Sequence, residues 1–407
     1  MSSEEVELNI HACLDKLDDL KKAAPGLRQE HLRARLDEAR KRDDKEAADA
    51  IVRILRRESI KKRTKRIRCA MGKRRGLPAA QIAVGCPTGP DAIFSSQEDI
   101  EEVAATHLSD RFKSAHSAPI SSGKLLDDIG FLGDTKTVRD ILEGTYEYPP
   151  DTDPHTKLLF EEAAKIFSTT AEDVISTFVT TKDFQDWWLT SDETIQSSKS
   201  GAHFGHYKAA AYDDYLSALH VAKLNLALAS GKPLERWGHG LTVLLEKEFG
   251  SIYIDKLRAI CLFEADFNWL QKLIFSKRMM SQAQEKGIIP MEQIAKPGSC
   301  PDEGSMIKCL HNDINRTLHI PAAVVSADLG NCYDAVNHAM CSIALQAFGV
   351  PVLAVKLMLS CLQTMFFWLK TAFGTSKQPF CGSLDFPFLG LGQGSGGAPH
   401  PSQRHPR

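Results

Sequence analysis

The chain has ten cysteines but no two of them stand three residues apart, so the C-x-x-C spacing of a zinc ribbon or a thiol redox pair is missing. Their scattered surroundings indicate no disulfide framework either, and the natural setting is a reducing, intracellular one. The opening M-S-S-E-E-V-E-L is acidic and has no apolar core, so no secretory signal is expected in it. A clean membrane span is also missing. Val350 to Leu369 has the length, but Pro351 opens it, Lys356 and Gln363 interrupt it, and Met365 to Trp368 reads as the start of a strand. Net charge is scarce as well, at -2.

That small net charge hides an asymmetry. Between Arg53 and Arg75 there are twelve Lys or Arg and one acid, Glu58, a local balance of +11 that leaves -13 for the rest. Affinity for RNA or DNA is therefore expected at this end, on Lys61, Lys62, Arg63, Lys65, Arg66 and Arg68, and the same run suits a nuclear import signal or a solvated helix face. With 43% apolar and 25% charged residues, the remainder is ordinary globular sequence, long enough for two or three domains.

In chain order, residues 5 to about 70 read as helices, with Pro25-Gly26 dividing them in two. Leu77 to Asp91 is a Pro- and Gly-punctuated connector. Ser95 and Glu98 have capping-box spacing before Ile100, Val103 and Leu108. Ser121 to Pro154 reads as loop-rich, with one short helix at Val138 to Leu142. Further helices are expected over Leu158 to Phe167, from Ala171 onward to Trp187-Trp188, over Phe267 to Met280, and over Ile307 to Leu318. Tyr212-Asp213-Asp214-Tyr215 reads as acids at a helix start. Val336 to Phe348 is a helix, and Phe366 to Thr371 with a turn at Gly374 is a hairpin.

The most informative stretch is P-A-A-V-V-S-A-D-L-G-N-C-Y-D, Pro321 to Asp334. An apolar run from Ala322 to Val325 leading to an acid is how a buried strand delivers a carboxylate, Asp328, to its exposed end. Tyr333 and Asp334 follow it. A hard oxygen ligand beside an aromatic ring suits a magnesium ion shared with substrate phosphates. Downstream, Gly390 to Pro399 reads G-L-G-Q-G-S-G-G-A-P.

Together the two stretches resemble motifs A and B of reverse transcriptases, most closely those of LINE-type (non-LTR) retrotransposons. Other segments extend the resemblance. T-I-Q-S-S-K-S-G-A-H-F-G-H-Y-K-A, Thr194 to Ala209, is similar to the segment that opens the fingers, with Lys199 where a proline is usual. L-T-V-L-L-E-K and K-L-R-A-I-C-L-F resemble the fingers hairpin, with Ala259 in place of a proline.

The resemblance implies an α+β fold: right-hand polymerase fingers and an incomplete palm, preceded by a helical N-terminal region. Its implied domains are a helical, basic region over 1–76, a linker and helical region over 77–180, fingers over 181–290, a partial palm over 291–399 and a disordered tail over 400–407. It implies Mg2+ as cofactor, RNA, DNA and deoxynucleoside triphosphates as partners, and no membrane. Asp328 would bind metal, helped by the carbonyl of Leu329, and Tyr333 would sit under the sugar. Lys247 and Arg258 would face the triphosphate, while Gln393 and Gly394 lie against template and incoming base. Gly201, Gly205 and Lys208, with the rings of Phe204 and Tyr207, would meet the template. Asp334 is expected to be structural.

Family members continue past motif B with an apolar helix and the two-Asp hairpin of motif C. This sequence turns instead into P-H-P-S-Q-R-H-P-R. One carboxylate does not organise a two-ion clamp, so the 407-residue chain is expected to be inactive in DNA synthesis. The alternative is a non-catalytic nucleic-acid-binding protein that uses the basic helix and the fingers.

Overall fold

The computed structural model describes residues 25–55, 79–86, 90–193, 198–246, 250–290, 293, 301–323, 325 and 332–392. The chain is mixed α and β, and divides into two units, residues 1–76 with 402–407, and 77–401. In the first, helix α1 (Pro25–Lys41) turns back into α2 (residues 45–55), closing a small cluster of Leu32, Leu36 and Ile51. The sequence reading missed this break. Asp43 takes a left-handed φ of 53° and Asp44 accepts from the Ala47 amide at 3.0 Å, so two adjacent acids make the turn and the cap.

The second unit begins with a small hairpin, β1 (Ile82–Val84) and β2 (Ala92–Phe94). Next comes α3 (Gln97–Lys113), which buries Ile100, Ala104, Leu108 and Phe112 at four-residue intervals. Its cap is Ser96 with Asp99, one residue beyond the expected Ser95 and Glu98. Two overlapping boxes exist in this sequence; Ser96 holds the extended backbone that a cap requires.

The stretch read as loop-rich is instead packed. Helices α4 (Gly123–Ile129), α5 (Lys136–Leu142) and α6 (Pro154–Thr170) enclose a second core around Ile129, Val138, Ile141 and Phe160. Residues 171–180 are not helical, contrary to expectation. Their polar groups are satisfied elsewhere: Ile175 donates to Gly349 O, Asn225 pairs both backbone groups of Val179, and Arg278 donates to the carbonyls of Ser176 and Phe178.

Helix α7 (Thr181–Thr190) opens on a capping box of Thr180 and Asp183 and buries Phe184 and Trp188 against α8 (Phe204–Ala211) and α9 (Asp214–Ser230). Asp213 caps α9, so the Tyr-Asp-Asp-Tyr cluster is a helix start, as read from the sequence. Four strands form the main sheet: β3 (His239–Glu246), β4 (Leu257–Leu262), β5 (Phe366–Thr371) and β6 (Gly374–Thr375), in the order β4-β3-β5-β6. β3 and β4 are an antiparallel hairpin, while β5 runs parallel to β3 on its other side, so the chain crosses over from β4 to β5 through residues 263–365.

Within that crossover lie α10 (Ala265–Gln271), a π-helical continuation (Lys272–Met279), α11 (Met280–Glu285), α12 (Pro301–Thr317), α13 (His338–Ala347) and α14 (Val352–Gln363). The apolar run read against a membrane span is therefore α14 followed by β5, and no helix among the described residues is long and apolar enough to cross a membrane. The expected strand at Ala322 to Val325 does not form among its described residues. Ala322 and Ala323 are exposed, Val325 is 90% exposed, and none of the six strands pairs with them. A lone strand leaves its backbone groups to water and has nothing to hold it extended.

Candidate nucleotide and nucleic-acid site

The two motifs meet at their described ends. Cys332 to Ala335 form a turn, and Asn337 caps α13 by accepting from Met340 N at 3.0 Å while donating to Ser121 Oγ at 2.6 Å. Leu391 N donates to Tyr333 O at 2.8 Å, a backbone link between the stretch ending at Asp334 and the one beginning at Gly390. The buried imidazole of His338 bonds Gly390 O through Nε2 at 2.8 Å, and Gln363 meets its Nδ1 at 3.1 Å. Burial pushes the His338 pKa down to about 4, against a smaller opposing effect of the bond to Gly390.

Glycine at 390 is a geometric requirement. Its φ is +106° and a Cβ there would stand 2.6 Å from Asp334 O. Gly392, at φ +65°, backs onto Phe263 and Cys261 Sγ of the sheet hairpin. Asp334 is almost fully buried and forms an ion pair with Arg111 of α3. It is structural, in keeping with its sequence reading. The same helix end and the turn after it hold the approach to Gly390: Phe112 O accepts from Leu389 N at 2.9 Å, and His116 bonds Pro387 O at 2.8 Å. Arg111, Phe112 and His116 were not found from sequence, because they lie more than two hundred residues from their partners and carry no local signal.

Asp328, Leu329, Lys247, Gln393 and Gly394 lie outside the described residues, as do Lys61, Lys62, Arg63, Lys65, Arg66 and Arg68. Tyr333 is half-buried in the turn. Arg258 is exposed on β4, on the face of the sheet opposite to Cys261 and hence to the contact with Gly392.

The segment resembling the opening of the fingers is partly helical. Gly201 has φ +75° and open space beside it. Gly205 has a local reason to be glycine: a Cβ would meet the His203 ring at 2.8 Å, and its amide donates to His203 Nδ1 at 3.1 Å. Lys208 is paired with Glu193 at 3.2 Å and donates to Ser191 O. Tyr207 is not a free stacking ring: it is buried against Trp188, centroids 4.7 Å apart, and its hydroxyl accepts from Arg236. Arg236 in turn holds the buried carboxylates of Glu264 and Asp266. Among the described residues no group of three or more His, Cys, Asp or Glu is placed to hold a metal. Compared with protein-family models and with curated protein sequences, the chain matches none.

Proposed function

We propose that the chain carries the fingers and part of the palm of a LINE-type reverse transcriptase, and that these residues hold RNA or DNA but do not extend a primer by themselves. The observation that carries this reading is the backbone link from Leu391 to Tyr333, which joins two segments singled out separately as motifs A and B. The shared sheet of the 239–262 hairpin with Phe366–Thr371 supports it, since the hairpin after motif A returns to the fingers-like strands.

In this reading Tyr333 supports the sugar of the incoming nucleotide, and its ring excludes a 2′ hydroxyl. Gln393 and Gly394 would lie against the base pair, and Lys247 would belong to the flap over the triphosphate. Magnesium, when bound, stabilises charge on the attacking and leaving oxygens. Asp328 and the Leu329 carbonyl would hold it. Asp334 does not supply a second ligand, because Arg111 engages it, and one carboxylate does not fit a two-ion site. No catalytic step is therefore assigned to this chain.

The test is photo-crosslinking of a radiolabelled azido-dATP in the presence of an RNA–DNA primer–template. Competition by dATP well above that by ATP, narrowed in Tyr333→Ala, is the expected result. Crosslinking that neither nucleotide competes would remove the polymerase reading. Primer extension by the 407-residue chain, abolished in Asp328→Ala, would overturn the inactive assignment.

A further inference from the structure

The main sheet has two unlike faces. Phe367, Leu369 and Thr371 of β5 are buried on the inner face, where Phe112 of α3 stacks on Phe367 at 5.2 Å. The alternate residues Phe366, Trp368 and Lys370 point outward and stay partly or fully accessible. Register puts His239 of β3 beside Phe366, and Val243 beside Lys370 and Ile260. His239 and Phe366 stack at 5.7 Å with 24° between planes, and Trp368 lies 6.4 Å from His239 while donating Nε1–H to its Nδ1 at 3.3 Å. Phe366 remains 43% exposed.

Charge on this face has one sign. Lys199 places its ammonium over the Trp368 ring, Lys370 continues the row, and Arg258 projects from β4 beside Leu245. None of the three has an acidic partner among the described residues. The rings of Phe366 and His239, next to Trp368 under its Lys199 cation and flanked by Lys370 and Arg258, suit unpaired bases, which offer a flat face to stack, on a backbone that carries a charge at every step. An acidic peptide would gain from the cations and nothing from Phe366.

We propose that this outer face binds single-stranded nucleic acid: a base stacks on Phe366 and His239, and the phosphates run past Lys370 and Arg258. From Phe366 to Lys370 the platform spans roughly 13 Å at about 3.3 Å per residue. The proposal rests on the preceding reading only for the ligand class. It needs no catalysis and assigns a surface separate from the basic segment 53–75.

The experiment is fluorescence anisotropy of a short labelled oligouridylate with the full chain across a salt series. Phe366→Ala is expected to weaken binding roughly tenfold, the loss of one stacked base. The double variant Lys370→Gln, Arg258→Gln should make the log–log salt slope shallower by about 1.4, at ~0.7 per phosphate of a single strand. None of these three side chains is buried, and unchanged melting temperatures will show that the fold persists. Wild type that binds while both variants bind unchanged would overturn the platform and leave nucleic-acid binding with the basic segment. Equal affinity for duplex RNA, or displacement by polyglutamate as effective as by unlabelled oligonucleotide, would overturn it too. A wild-type chain that binds no single strand would remove the platform and the nucleic-acid reading together.

Discussion

Helices α12 and α14, on either side of residues 321–347, both carry apolar residues at helical spacing, yet they end in opposite environments. Along α14, Val355, Leu359 and Leu362 are buried and the helix packs on α9 and α13. Along α12, Met306, Ile307, Leu310 and Ile314 line an equally periodic stripe, but each is more than half exposed. The helix expected over Ile307 to Leu318 forms, but its apolar stripe stays open. Amphipathic spacing says which face of a helix is apolar; a second surface must exist before that face is buried. The same lesson applies to Ala322 to Val325, apolar and β-branched but unpaired.

The contrast can be broken most sharply at its packed end. Arg111→Ala would strand the buried Asp334 carboxylate and should cost about 3–5 kcal/mol of stability in urea unfolding. A loss below about 1 kcal/mol would mean that the ion pair does not anchor motif A to α3. Leu359→Ala removes a fully buried side chain and should cost roughly 2–5 kcal/mol.

Acid offers a third probe. Because the folded pKa of His338 lies near 4, below its ordinary value, the unfolded chain takes up a proton first as pH falls. His338 should therefore contribute full stability above about pH 6.5 and lose about 3 kcal/mol on descent to about pH 4. His338→Gln should flatten that part of the stability profile; an equally steep fall in the variant would assign acid sensitivity elsewhere. The smallest effect belongs to the bare helix. Leu310→Ala should change stability by less than about 0.5 kcal/mol, and a cost near that of Leu359→Ala would show that α12 has a partner surface after all.

Much of the local structure was legible in the sequence because its causes are local. Asp213 at a helix start, a helix carrying Ile100 and Leu108, the β5 span Phe366–Thr371 and the helix over His338–Ala347 follow from capping, periodicity and turn chemistry. The glycines of motif B were also visible as glycines. Why Gly390 must be one was not, since the atom it avoids belongs to Asp334.

The sequence by itself determined the two motif segments, the basic run at 53–75, the lack of a zinc or disulfide pattern, and which residues of each helix and strand are apolar. Only the tertiary structure decided that Arg111 pairs with Asp334, that His338 carries Gly390, that Tyr207 is core, and that His239 joins Phe366 and Trp368 on one face. Each of those pairings spans a long loop of chain. Its stability comes from burial and from partners brought together at the closure of that loop, which nearest-neighbour spacing does not encode.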